Sequence, residues 1–158
     1  MSHPLQRVSL CALVALTAAT AGAAAQDLNF GSAMAVSGRQ AFIGQPANSY
    51  SAGMVYVYGP DAKGVWRQTG RMAAPDSVSA DGFGRALAAD GNTLFVGQTT
   101  SLEAAGAVHV YQRGANGAWT HVTRLAGADS GARFGRNITL SGDLALSGAT
   151  GADSGKGA

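Results

Sequence analysis

The stretch from Phe83 to Tyr111 decides the fold, and it reads FGRALAADGNTLFVGQTTSLEAAGAVHVY. Short apolar runs alternate in it with single glycines. The Asp-Gly pair at 90–91 tolerates the positive φ angles that a two-residue hairpin turn requires. The closing Val-His-Val-Tyr run at 108–111 has the alternation of a strand with two different faces. The stretch therefore predicts short antiparallel strands joined by tight turns.

The same spacing of residues occurs three times along the chain. Units begin at Phe30, Phe83 and Phe134, so their starts are 53 and then 51 residues apart. Glycine recurs at fixed distances from each phenylalanine, and tryptophan recurs in the two complete units. Chance does not supply so many coincident distances, so the repeat is real. The positions that define it are Phe30, Gly31, Gly44, Gly53, Trp66, Phe83, Gly84, Gly97, Gly106, Trp119, Phe134, Gly135 and Gly148.

Each unit divides into four short extended segments, which predicts one four-stranded antiparallel sheet per unit. In the second unit the predicted strands are Arg85–Ala89, Thr93–Val96, Ala107–Tyr111 and Trp119–Leu125. Such sheets repeated about every fifty residues are typical of β-propeller blades. We therefore predict an all-β fold with two complete blades, at 26–79 and 80–130, and one partial blade at 131–158.

This blade count predicts that more of the molecule is needed. Propellers close with roughly four to eight blades. Two and a half blades would leave apolar faces and sheet edges in water. A fragment of a longer product, a truncated gene or a part that must assemble would each explain the chain, and we favour the fragment. Further blades are expected either in the same chain or by assembly.

Residues 1–25 are interpreted as a secretory signal peptide. Arg7 precedes an apolar run at Val8–Ala19, and Ala23–Ala25 offers a small-residue cleavage site. A membrane anchor is the less favoured alternative, because the run is shorter than the ~20 residues of a membrane span. We expect a secreted protein in the periplasm, at the cell surface or outside the cell, with no stable membrane span after cleavage. The mature chain would lack a thiol, since Cys11 is the only cysteine.

Composition excludes some classes of partner. The chain has 23 glycines, 13% charged residues and a formal net charge of +2. Its lysines and arginines form no cluster, so no nucleic-acid partner is expected.

The pattern of Phe-Gly, a short strand, Ser-Gly or Asp-Gly, a strand ending in glycine, Gly-x-Val-x-Val-Tyr and a tryptophan resembles the FG-GAP repeat family. It is similar in particular to the bacterial secreted subgroup, and the resemblance covers Phe30 to Ala158. The family is similar to the integrin α-subunit propeller, which implies a seven-bladed ring in the complete protein. The Gly-Ala-Pro motif is altered here to Gly44-Gln45-Pro46, Gly97-Gln98-Thr99 and Gly148-Ala149-Thr150.

Calcium is not expected. Calcium-binding family members carry an acidic loop between the first two strands of the repeat. In this chain that loop is reduced to Ser37–Arg39, Asp90–Asn92 and Ser141–Asp143. Ca²⁺ takes six to eight oxygen ligands, which a turn with at most one aspartate does not supply. We predict no metal and no other cofactor.

No catalytic cluster is predicted either. The five letters Gly-Ala-Asp-Ser-Gly occur at 127–131 and 151–155, but they occupy different places in the repeat and are interpreted as turns. His109 and His121 have no ligand partners at metal-binding spacing, so a structural role is favoured. The repeated aromatic residues are interpreted as packing between blades rather than as a sugar-binding face.

The sequence favours a non-catalytic scaffold for adhesion or protein interaction. Ligand contacts are expected in the variable loops Gln45–Ala52 and Gln98–Ala105, because function in repeat folds lies in loops. The candidate contact residues are Asn48, Tyr50, Thr100 and Glu103. The expected partner is a protein or a surface glycan. The alternative is a fragment of an extracellular enzyme or carbohydrate-binding protein whose active domain lies beyond the C-terminus.

Overall fold

The structure is a computed structural model and describes residues 29–46, 50–100 and 105–158. The predicted signal peptide therefore lies outside the described residues. The elements are β1 (Ala33–Ser37), β2 (Gln40–Gln45), β3 (Met54–Pro60), β4 (Trp66–Met72), β5 (Phe83–Asp90), β6 (Thr93–Gln98), β7 (Ala107–Arg113), β8 (Trp119–Ala126), β9 (Phe134–Ser141), β10 (Leu144–Ala149) and a single helical turn, α1 (Ala152–Gly155). The prediction of an all-β fold is confirmed.

Three antiparallel sheets follow one another along the chain. The first has the strand order β1-β2-β3-β4, the second β5-β6-β7-β8, and the third contains β9 and β10. Each strand pairs with its neighbour in sequence, which is the arrangement predicted for two complete blades and one partial blade of a propeller. The four strands of the second sheet each extend one to three residues beyond the predicted bounds. No helix in the described ranges is long and apolar enough to cross a membrane.

Tight hairpins join the first two strands of each sheet. Gly38, Gly91 and Gly142 have φ angles of 56°, 54° and 56°. Such angles are readily adopted by glycine, which has no Cβ. The hairpins also touch each other: the Gly142 N–H donates to the Asp90 carboxylate at 2.8 Å. The short turns between the first two strands thus connect neighbouring sheets.

The core lies where the first and second sheets meet. Phe42 and Val55 of the first sheet and Phe83, Leu94 and Val96 of the second are fully buried in one cluster. β3 alternates buried and half-buried residues along its length, because one of its faces is covered by the next sheet. The third sheet is less covered, and Leu144 and Leu146 of β10 are exposed.

Two of the repeated glycines explain how closely the first two sheets approach. A Cβ added at Gly44 would collide with the backbone carbonyl of Gly84, and one added at Gly53 would collide with that of Phe83. The Phe-Gly pair of the second sheet therefore occupies the space that two side chains of the first sheet would fill. Only glycine permits this approach of backbone to backbone.

The contact recurs one repeat later. A Cβ at Gly97 would collide with the carbonyl of Gly135, and one at Gly106 with that of Phe134. The spacing of glycine in the sequence is thus set by the position of the next Phe-Gly pair in space. This is the physical reason for the offsets that define the repeat.

The same positions are open on the outer sides of the first and third sheets. A Cβ at Gly31 would meet nothing within 4 Å, and one at Gly148 would meet only the Asn137 Cβ at 4.0 Å. The two repeated tryptophans also differ in whether a neighbouring sheet covers them. Trp119 packs edge to face on Phe42 of the preceding sheet at 5.2 Å, whereas Trp66 is 48% exposed. The difference arises because no sheet of the described residues covers Trp66.

Gly97→Ala and Gly148→Ala test this explanation, since the two glycines occupy the same repeat position and neither has a positive φ. We expect Gly97→Ala to lower the free energy of unfolding by about 1–3 kcal/mol, because the new methyl group meets backbone. Gly148→Ala should change it by less than about 0.5 kcal/mol. Urea unfolding of the 158-residue chain measures both values, and equal losses would contradict the explanation.

Candidate functional site

The bases of the two loops predicted to contact a ligand lie at the same end of neighbouring sheets. Gln45 pairs with Met54 at the end of β2, and Gln98 pairs with Ala107 at the end of β6. The connections that follow these glutamines therefore emerge side by side. Their bases, unlike the tips at 47–49 and 101–104, belong to the described residues.

Two of the four predicted contact residues can be placed. Tyr50 is 92% exposed, and Thr100 is also exposed. Asn48 and Glu103 lie outside the described residues. An exposed tyrosine offers a rigid ring and a hydroxyl to a partner at small entropic cost. The described part of this end can therefore make contacts with a partner.

A buried carboxylate secures the base of the first loop. Asp81 is 4% exposed, and its Oδ1 accepts hydrogen bonds from the backbone N–H groups of Gly53 at 2.8 Å and Phe83 at 3.1 Å. The neighbouring Ala80 N–H donates to the Ser51 carbonyl at 3.1 Å. These bonds connect the exit of the first loop to the start of the second sheet.

The base of the second loop is secured from the same segment. The Arg85 Nε donates to the Thr99 carbonyl at 3.0 Å, and Gly82 packs so closely on that carbonyl that a Cβ there would collide with it. The Asp81 Oδ2 and the Thr99 Oγ1 are buried without a hydrogen-bond partner among the described residues. Residues 80–85 thus hold both loop bases together, and they leave two polar atoms unsatisfied.

Sequence reasoning missed Asp81. The first and third units have Leu28 and Ala132 at the corresponding position, so a charge stands where the repeat otherwise has an apolar residue. That departure from the repeat was the signal available in the sequence. The structural role of Asp81 could not be inferred from this signal, because Asp81 lies in a connector whose conformation depends on how two sheets dock.

His109 is a packed side chain that links two strands. It is fully buried, and its Nε2 lies 2.9 Å from the Gln98 Oε1 while its Nδ1 lies 3.2 Å from the His121 Nε2. If the Gln98 oxygen accepts from Nε2–H, Nδ1 keeps its lone pair and His121 donates to it. Burial lowers the pKa of His109 to about 4, which favours this neutral form.

The first sheet has an equivalent link with different residues. Tyr56 occupies the position of His109 in the repeat, and its hydroxyl donates to the Gln45 Oε1 at 2.7 Å. Both sheets therefore place a polar ring against the glutamine at the base of the loop. These contacts give His109 a structural explanation, in keeping with the role that the sequence favoured.

Tyr111 and Trp119 serve the contact between sheets. The Tyr111 hydroxyl donates to the Ala73 carbonyl of the preceding sheet at 3.0 Å, and burial raises the pKa of this phenol to about 12. The Trp119 indole N–H donates to the Gln40 Oε1 at 3.2 Å. Within the described residues, no group of three or more His, Cys, Asp or Glu side chains could hold a metal ion.

His109 gives the stability of the protein a pH dependence. In the folded protein the pKa of His109 is about 4, below the ordinary histidine value of 6.5, so the unfolded state binds more protons between these two pH values. The stabilising contribution is complete above about pH 6.5 and is lost as the pH falls toward 4. We expect the free energy of unfolding to fall by up to about 3 kcal/mol between pH 6.5 and pH 4.

His109→Tyr, which introduces the residue of the equivalent position, should reduce this dependence. Urea unfolding at several values between pH 4 and pH 7 measures it. His121→Gln is the matched control, because it removes the half-buried partner and leaves the fully buried imidazole of His109. An unchanged slope in His109→Tyr would show that another group causes the pH dependence.

Comparison with known proteins agrees with the repeat described above. A family model described as FG-GAP repeat matches residues 66–111. The match runs from β4 of the first sheet through β7 of the second, so it is shifted by one strand relative to the sheets. It includes the Phe83-Gly84 pair and Asp81. No curated protein matched the chain. The prediction of an FG-GAP repeat protein is confirmed.

Proposed function

We propose that this FG-GAP repeat protein is a non-catalytic module that holds a partner, a protein or a surface glycan, at the end formed by the β2–β3 and β6–β7 connections. Its role would be that of an adhesion or interaction scaffold outside the cytoplasm. The observation that supports the proposal most strongly is that hydrogen bonds fix the bases of both loops while the adjoining residues are exposed to solvent.

Rigid bases favour binding through these loops. The Asp81 carboxylate and the Arg85 guanidinium fix the backbone on both sides of the gap between sheets. A loop with a fixed base loses less conformational entropy when it binds than one without such an anchor. Since the repeated residues are used in packing, the residues that differ between units are the ones free to specify a partner.

Secretion is proposed from the sequence of residues 1–25, which has the order of regions found in signal peptides. The location would be the periplasm, the cell surface or the medium. A scaffold in that setting meets other proteins and glycans of the envelope, which suits the proposed kind of partner.

We also propose that further blades of the same kind cover the outer sides of the first and third sheets, from the same chain or by assembly. The exposed Trp66 and the open space at Gly31 and Gly148 support this. Each is equivalent to a position that is filled by a neighbouring sheet elsewhere in the molecule. A covering blade would bury the exposed Leu144 and Leu146 region as well.

Replacement of both loop tips, 47–49 and 101–104, by Gly and Ser tests the proposed function. The anchored residues Ser51, Gly53 and Thr99 remain, so we expect an unchanged urea midpoint. Binding of the fluorescently labelled protein to the cells that produce it, measured by flow cytometry, should fall by about tenfold or more, since each 1.4 kcal/mol of lost contact is tenfold in affinity.

The control replaces residues 62–64 at the opposite end of the first sheet, which should leave cell binding unchanged. Pretreatment of the cells with protease or with glycosidases separates a protein partner from a glycan. Full binding by the loop variant would contradict the proposal, and so would an equal loss in the control.

A further inference from the structure

A groove of about 650 Å³ opens between the first and second sheets, at the end opposite to the two loops. One wall is formed by β3 and β4, and the other by the turn between β7 and β8. The turn contributes backbone and small side chains at 116–118, and Trp119 follows it. The groove is accessible from solvent, since most of its lining residues are exposed or half-buried.

Positive charge is concentrated in this groove. Arg39, Arg71 and Arg113 line it, and no acidic residue does so among the described residues. The Arg113 Nε donates to the Gly117 carbonyl at 3.2 Å, which fixes its position. Neither Arg39 nor Arg71 forms an ion pair within the described ranges. Guanidinium groups stay charged at physiological pH, so the groove carries an uncompensated charge.

Asp61, which is adjacent in sequence to one of the lining residues, does not neutralise the positive charge of the groove. Asp61 follows Pro60, but its carboxylate accepts from the Arg67 Nε at 2.8 Å and from two backbone N–H groups of its own turn, at 2.9 and 3.0 Å. Arg67 lowers the pKa of Asp61, so this carboxylate stays ionised and engaged. Asp61 is therefore not available to neutralise the arginines of the groove.

The uncharged lining indicates the kind of anion. Trp119 packs on Phe42 and donates to Gln40, as expected for a repeated aromatic residue, but it is only half-buried and also lines the groove. Thr69 and Asn116 add a hydroxyl and an amide. An aromatic surface beside a few polar groups and arginines suits a sugar ring with hydroxyls and a carboxylate. Arginine binds a carboxylate through two parallel hydrogen bonds.

We propose that this groove binds an acidic oligosaccharide of hexuronic acids, with the carboxylates on Arg39 and Arg71 and a sugar ring against Trp119. The site is separate from the two loops and does not rest on the function proposed for them. An acidic peptide would share the charge but would not use the aromatic ring and the small polar groups in this way.

Calorimetric titration of the full chain with an oligomer of galacturonic acid tests the proposal. We expect binding that weakens with salt, and a loss of about tenfold or more in affinity in the double variant Arg39→Gln/Arg71→Gln. The charge-matched control Arg136→Gln/Lys156→Gln removes two cations of the third repeat unit, neither of which lines the groove, and should bind within about twofold of the parent. Both double variants should keep the urea midpoint, because all four side chains are exposed.

Two further ligands separate the alternatives. The neutral galactose oligomer of equal length should bind much more weakly than the acidic one, and a glutamate oligopeptide should bind more weakly as well. Absence of binding to the acidic oligomer, equal affinity in Arg39→Gln/Arg71→Gln, or tighter binding of the peptide would each overturn the proposal.

Discussion

The close approach of backbone to backbone, at the glycines where consecutive sheets pack on each other, is the constraint on which the rest of the structure depends. The carbonyl of one Phe-Gly pair occupies the place of a side chain in the preceding sheet, as at Gly84 on Gly44. Burial of Phe42, Phe83 and Val55 follows, because the sheets come near enough to exclude water between them. The regular spacing of glycines and Phe-Gly pairs in the sequence is what this contact requires.

Under the function proposed here, the residues that differ between units are the ones that carry it. Tyr56 and His109 occupy one position and make the same link to a glutamine by different chemistry. Asp81 has no counterpart in the other units, yet it anchors the loop end. The repeated residues pack the sheets together. The residues that differ between units determine which groups are exposed at the two ends of the sheets. One end presents loops, and the other presents a cationic groove.

The strands could be predicted because both their signals are local: glycine at fixed offsets and alternation within a few residues, as in the run that ends at Tyr111. The groove could not, since Arg39 and Arg113 come together only when two sheets dock. Asp81 was missed for the same reason. Trp66 and Trp119 look equivalent in sequence, but their exposure differs because it is set by the neighbouring sheet.

The most direct test of the account is an NMR measurement of contacts between the α protons of Gly44 and Gly84. In the structure, the position of a Cβ on Gly84 lies 3.4 Å from the Gly44 Cα, so the account predicts a strong nuclear Overhauser effect between the two glycines. Its absence, in a sample that still shows the contacts expected between β2 and β3, would mean that the sheets form without docking at glycine, and would contradict the account.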